Sequence, residues 1–339
     1  MNNDSTLEPE PPRRSRWGLI LRIAASLLML AVLAWRVPDV SLHDLIPTWR
    51  STTPLWLAVA AIAMIGAFAM STLRWQRVVD ALASPPPFRR LFSHFLAAQF
   101  VSNVVPTAFG GDVVRVARLG RDIDSMPRSF ASVTIERLTG WLVLPAISAV
   151  ALVSQPRLLH LGGATTTALA IDGVTLFALL LILAVASNRR FSADLDAVEG
   201  WRRFLVAIHL GVDALRRAPR DAGGVLLAGV AFQLIQCVAV WMAARAIGVD
   251  QVTLGVVLAF FPAAAIAQNL PVGIGGLGVR EGAFVLFFGA VHATRGGAIS
   301  LGLTVYLLTV ATSSLGAPSF AVGAQRALRG DVTEPGSTA

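Results

Sequence analysis

Lysine is missing from this chain. All 28 basic residues are arginine, which excludes the phosphate-gripping lysine of a P-loop and any lipid-phosphatase signature that needs one. A GC-rich genome accounts for that usage without special guanidinium chemistry. Cysteine is reduced to one residue, Cys237, inside an apolar run; this excludes an intrachain disulfide and a thiolate metal cluster. The five histidines have no metal-ligand spacing, there is no H-E-x-x-H, and Asp122 with Asp124 forms no metal motif. These absences speak against an enzyme and predict neither metal nor cofactor. Charge is also scarce, at 14% of residues. The net charge of +8 would suit nucleic acid, but the arginines cluster in loops beside apolar runs. That is positive-inside behaviour, with anionic lipid as the neighbour and no nucleic-acid partner.

What is abundant is apolar sequence. With 55% hydrophobic residues and a mean hydropathy of +0.67, the chain reads as a polytopic membrane protein of six to eight spans without an added soluble catalytic domain. Residues 1–16 form a polar cytoplasmic tail. Trp17–Trp35 is the first span, carrying Arg22; the rival reading is a signal peptide cleaved near Val32-Leu33-Ala34. An outer loop, 36–53, precedes Pro54–Leu73, after which Arg74, Arg77, Arg89 and Arg90 flank Pro85-Pro86-Pro87 on the cytoplasmic side. Leu91–Val105 is short for a crossing, and Arg115, Arg118, Arg121 and Arg128 follow it. The economical reading is a hairpin that dips in from the cytoplasm and returns. Ser129–Ser154 crosses outward and Ala164–Ala186 crosses back with Asp172 inside it. Residues 188–221 hold seven arginines and are read as cytoplasmic. Within them Trp201, Phe204, Leu205, Ile208, Val212 and Leu215 share one helical face, which predicts an amphipathic helix lying on the inner leaflet. Ala222–Ile247 crosses outward, Val252–Asn269 and Gly282–Ala293 make a second hairpin from outside, and Ala298–Val322 is the last span. Residues 323–339 form a cytoplasmic tail.

Two copies of P-x-x-x-G-G-x-x-x-R organise the chain. They run from Pro106 to Arg115 and from Pro271 to Arg280, 165 residues apart, with Asn103 or Asn269 just ahead. The expected fold is all-α, with about six full transmembrane helices plus two re-entrant hairpins, or eight helices. Residues 17–154 and 164–322 would be the two halves of an inverted-topology repeat, the arrangement that places a transporter's site at broken helices.

The glycines Gly110, Gly111, Gly275 and Gly276, with Gly273 and Gly278, allow close backbone approach or positive φ. A half-helix beginning after them would offer free N–H groups to an anion. Arg115 and Arg280 are placed to add guanidinium groups, an arrangement suited to a phosphate or phospholipid headgroup; tight packing and snorkelling are the bland alternatives. Glu136-Arg137 and Arg280-Glu281 are adjacent opposite charges. Pairing across the halves, Glu136 with Arg280 and Arg137 with Glu281, is one way to hold them at membrane depth. Asp112 could partner Arg115 or a coupling proton; Asp172 carries a weaker signal.

Asn103-Val104-Val105-Pro106, Gly110-Gly111-Asp112, Arg115, Glu136-Arg137 and the segment from Pro271 to Glu281 resemble the transmembrane region of lysylphosphatidylglycerol synthases. That flippase-like superfamily includes stand-alone bacterial membrane proteins without a synthase domain, some associated with hopanoid or glycolipid pathways. The resemblance covers roughly residues 15–325 and says little about substrate. It implies lipid translocation between leaflets of the bacterial inner membrane, with both termini cytoplasmic. Aminoacyl transfer does not carry over, because no such domain follows. The implied partner is an anionic or lipid-linked membrane lipid. The alternative is a non-catalytic subunit that presents a lipid-linked substrate to a glycosyl- or phospho-transferase. The candidate headgroup set is Asn103, Gly110, Gly111, Asp112, Arg115, Glu136 and Arg137 with Asn269, Gly275, Gly276, Arg280 and Glu281.

Overall fold

The computed structural model describes residues 49–104, 110–188, 200–269 and 278–321. The expected first span Trp17–Trp35, the two tails, Pro106, Pro271, Gly273, Gly275 and Gly276 lie outside the described residues. All regular structure among the described residues is helical.

Helix α1 (Thr53–Leu82) opens with a proline in its first turn, where the missing N–H costs nothing, and stops before the triple proline. At 30 residues it is about 45 Å long and runs well past the expected end at Leu73. Helices α2 (Phe88–Val104) and α3 (Gly110–Asp122) fold back on each other, with His94 Nε2 2.9 Å from Asp122 Oδ2. Helix α4 (Met126–Ser154) is capped by Ser125, whose hydroxyl accepts the Arg128 N–H. A short 3-10 turn, Pro156–His160, leads to α5 (Gly163–Ala186). Then come α6 (Gly200–Arg217), α7 (Pro219–Ala246), α8 (Leu254–Gln268), α9 (Val279–Gly289) and α10 (Arg295–Ser313), the last extended to Ala321 through a 3-10 turn. Five of these, α1, α4, α5, α7 and α10 with its extension, are long and apolar enough to cross a membrane.

The centre of the molecule is α1 packed along α7. Thr53 Oγ1 donates to the Ala246 carbonyl at 2.7 Å, and Arg77 Nη1 lies 3.7 Å from Asp221 Oδ1. The start of α1 therefore meets the end of α7, and the two run antiparallel. Ala239, Ala243, Ala244 and Ala246 are fully buried, and such small residues let membrane helices approach closely. The second hairpin, α8 with α9, is closed by aromatic packing: Phe260 stacks on Phe287 at 5.6 Å and Phe261 meets Phe284 edge-on at 6.2 Å.

One end of the molecule collects the α1 C-terminus, the open end of α2–α3 and the starts of α4 and α7. The open end of α8–α9 lies at the other, where Gln155 packs on Gly255 and Val249 on Gly297. The hairpins thus enter from opposite ends. Each also packs on the final helix of the other half. Ser148 of α4 donates to the Ala259 carbonyl of α8 at 2.8 Å, and Asn103 of α2 donates to Ser313 Oγ of α10 at 3.0 Å.

Helix α6 corrects one expectation. Leu205 and Ile208 do not lie on lipid; they pack with Val78, Ile135, Ala186 and Val225, and Val212 and Leu215 join that cluster. The amphipathic stripe is a protein-packing face, while Trp201 and Phe204 at its edge are exposed.

Single cysteines in a Cys237→Ser background test this path. Residues introduced at Ser84 and Asp124 should react with an impermeant thiol reagent from one side of the membrane, and those at Gly162 and His292 only from the other. Labelling of Ser84 and His292 positions from the same side would break the opposed-hairpin arrangement.

Candidate functional site

A cavity of about 240 Å³ lies where α1, α2, α3, α4, α7 and α8 converge. Ser102 and Gly111, on either side of the first glycine motif's loop, line it, and so do Gln268 and Asn269 leading into the second. Its wall carries three guanidinium groups, from Arg74, Arg115 and Arg137, against the carboxylates of Asp112 and Glu136.

Glu136 is the hub. It is 2% exposed and sits inside α4, between Arg74 of α1 and Arg115 of α3. Arg74 Nη2 donates to its Oε1, Arg115 Nη1 donates to its Oε2 at 2.9 Å, and Ser71 Oγ donates to Oε1 at 3.2 Å. Each charge at membrane depth costs at least ~2.5–3.5 kcal/mol on insertion scales, so the three groups persist there because they satisfy one another. Aromatic faces support the cations. Arg115 lies 4.2 Å from the Trp75 ring centre and Arg74 5.2 Å from that of Phe232. Gly140 gives Arg74 its space, since a Cβ there would stand 2.8 Å from Nη1. On the cavity side Arg137 Nε lies 2.5 Å from Asp112 Oδ2, and Asp112 is 4.0 Å from Arg115.

Not every donor is used. Nε and Nη1 of Arg74 and Nε and Nη2 of Arg115 are buried without hydrogen-bond partners among the described residues. The amides of Gln99, Gln233, Gln236 and Asn269 and the indole of Trp141 complete the wall.

Gly111 serves close approach. A Cβ there would stand 2.5 Å from the Ala98 carbonyl oxygen and would also strike Ser102 Oγ, so this glycine is what lets α3 lie against α2. Positive φ is instead used by Gly278, at +83°, where it begins α9.

Residues 19–316 match the family described as the lysylphosphatidylglycerol synthase TM region. The chain belongs to that family. It is also similar to the glycosyltransferase AglD of Haloferax volcanii, 26% identical over 329 residues, covering 82% of this chain and 51% of that protein. A UPF0104 membrane protein of Methanothermobacter thermautotrophicus is 29% identical over 107 residues, 31% of this chain and 30% of its own. The UPF0104 membrane protein MJ1595 of Methanocaldococcus jannaschii is 26% identical over 121 residues, 35% of each chain. The matches span about half or less of these curated relatives.

In this member of the lysylphosphatidylglycerol synthase TM family, the expected site divides. Gly111, Asp112, Arg115, Glu136, Arg137 and Asn269 line the cavity. Gly110 begins α3 outside the lining. Asn103 is used in packing, donating to the Gln99 carbonyl at 2.9 Å and to Ser313. Arg280 sits behind the wall: its Nε donates to Gln268 Oε1 at 2.8 Å, and its guanidinium lies 5.4 Å from the Tyr306 ring centre. Glu281 is fully buried, with Oε2 accepting the Gly278 N–H at 2.6 Å. The cross-half pairs are therefore not formed. Glu136 takes Arg74 and Arg115, and Arg137 takes Asp112, because these groups sit in adjacent turns of packed helices while Glu281 closes its own helix start.

Arg74 was misread from sequence as a cytoplasmic flank. The signal for its true place was Trp75, Val78 and Val79, which continue the buried face of α1 beyond it. Arg74→Ala should destabilise the folded protein by about 3–5 kcal/mol, as removal of one partner of a buried charge pair does. Arg77→Ala, at a half-exposed side chain, should be near neutral. Thermal unfolding in detergent measures both; equal effects would return Arg74 to the surface.

Proposed function

We propose that this membrane protein moves a phosphate-bearing or glycosylated lipid between leaflets, holding the headgroup in the charged cavity while the tails stay in the bilayer. The observation that carries the reading is the charged cavity wall, which Arg74, Arg115 and Arg137 line together with Asp112 and Glu136. Three guanidiniums against two carboxylates leave the wall one positive charge in excess, which favours an anionic group. Membership of the family adds a membrane-embedded helical frame.

An inverted-topology repeat underlies the reading. The long–short–short–long order of α1 to α4 recurs in α7 to α10. Exchanging the halves maps the packing of α4 on α8 onto that of α10 on α2, and α1 on α7 onto itself. The antiparallel course of α1 and α7 is what inverted, and not parallel, repeats require. The hairpin helices are at most 17 residues long, or about 26 Å, which is short for a full crossing of a ~30 Å core and supports re-entrant hairpins. The arginine-rich end is assigned to the cytoplasm of a bacterial inner membrane.

A second reading has one observation behind it: AglD, matched over half its length, is named a glycosyltransferase. In that reading the protein is non-catalytic and presents a lipid-linked substrate to a transferase.

The test is lipid movement in vesicles containing the purified protein and a headgroup-labelled anionic lipid, with an impermeant quencher reporting the outer leaflet. Wild-type protein should speed exchange. Arg137→Ala should slow it about tenfold or more, from the ~1.5–3 kcal/mol of a hydrogen bond to a charged group. Arg137→Lys should recover part, because the bidentate fork is lost. Exchange no faster than in empty vesicles would favour the presenting-subunit reading.

A further inference from the structure

Asp172 has no part in the cavity. It lies midway along α5 on the protein-facing stripe of Thr165, Ala168, Thr175 and Leu179, while Leu169, Phe177, Leu180 and Leu181 face outward. The residue is 7% exposed, and neither carboxyl oxygen has a hydrogen-bond partner among the described residues.

Among the described residues no counter-charge faces it. Helix α5 packs on α4, α6, α8, α9 and the Pro156–His160 turn. Between Leu138 and Ser154 of α4, and throughout α8, no charged residue occurs. The charged groups of α6, which are Arg202, Arg203, His209, Asp213, Arg216 and Arg217, belong to the other end of α5. His209 Nδ1 lies 2.8 Å from the Ala186 carbonyl oxygen, and Ala186 is about 21 Å along the helix from Asp172. Arg157 and His160 belong to the turn at the start of α5, where Thr165 bonds the Leu158 carbonyl, about 10 Å away. On α9, Arg280 is held to Gln268 and Glu281 to Gly278. An ionised carboxylate in such a place is costly, and a neutral acid is not.

The polar neighbour of Asp172 is Ser148 of α4. Its hydroxyl already donates to the Ala259 carbonyl of α8 at 2.8 Å. A serine has one hydrogen to give, and with that hydrogen on Ala259 neither oxygen of Asp172 receives a bond, which leaves an ionised carboxylate unsatisfied and favours the protonated acid. When that proton leaves, the carboxylate competes for the Ser148 hydrogen with the greater strength of a charge-assisted bond, and Ala259 loses its partner. Helix α8 ends in Gln268 and Asn269 at the cavity wall.

We propose that Asp172 is a proton-binding site, linked through Ser148 and α8 to the polar cavity, so that a proton gradient gates or drives movement of the headgroup. The proton site stands on its own surroundings; the coupling rests on the lipid-transport reading.

The test has two arms on the full-length protein in vesicles. Infrared difference spectra on stepping from acidic to alkaline buffer should show loss of a protonated-carboxyl carbonyl band, and Asp172→Asn, a neutral isostere, should lack it. No such band, or a band unchanged in Asp172→Asn, overturns the site. In the second arm an imposed pH gradient should change the rate of lipid movement by wild-type protein. The ratio of rates with and without the gradient should fall to unity in Asp172→Asn and in Ser148→Ala. Wild-type rates indifferent to the gradient, or a response kept in Ser148→Ala, overturn the coupling. If no lipid moves under any condition, the transport reading fails while the infrared band still decides the proton site.

Discussion

A carboxylate buried at membrane depth must be held by cations from neighbouring helices, and Glu136 shows what that demands. Arg74 reaches it from α1 and Arg115 from α3, so a single side chain fixes the relative positions of three helices. The cations in turn need cover: Trp75 and Phe95 flank Arg115, and Gly140 leaves the notch that Arg74 fills. Removing Arg74, Arg115 or Glu136 leaves a charge without its compensation, which costs far more than a lost contact between apolar groups.

The two halves share a helix order and a packing pattern but not a chemistry. The first half concentrates its charge on the cavity through Asp112, Arg115, Glu136 and Arg137. In the second, Arg280 holds Gln268 from behind and Glu281 closes the start of α9. Amide groups from Gln233, Gln236, Gln268 and Asn269 are its contribution to the wall. A charged face opposite an amide face gives the cavity an anion-attracting side and a hydrogen-bonding side. It also explains how the cavity tolerates so few carboxylates: the facing half adds no further cation to neutralise.

Much of this was legible in the sequence because membranes restrict the options. Apolar length foretold an all-helical chain with several helices long enough to cross a membrane. A backbone in lipid must satisfy its own hydrogen bonds, and short apolar segments with polar punctuation have few ways to do so. Composition likewise pointed to the membrane, as the five long apolar helices and the family bear out.

Partners of the buried charges were decided only by tertiary structure. Arg74 reads as a flank, since an arginine after an apolar run is usually a snorkelling residue; whether α1 continues past it depends on what covers its far end. The stripe of α6 fits lipid and protein equally well by periodicity, and packing against Ile135 and Val225 made the choice. Sequence spacing placed Arg280 with Arg115, yet a shared motif does not carry over to side chains whose neighbours differ. The sequence by itself determined that the chain is helical and apolar enough for a membrane, because long apolar runs leave the backbone few other ways to satisfy its hydrogen bonds. Which charge meets which was set in three dimensions, because pairing energy falls steeply with distances that the linear order does not contain.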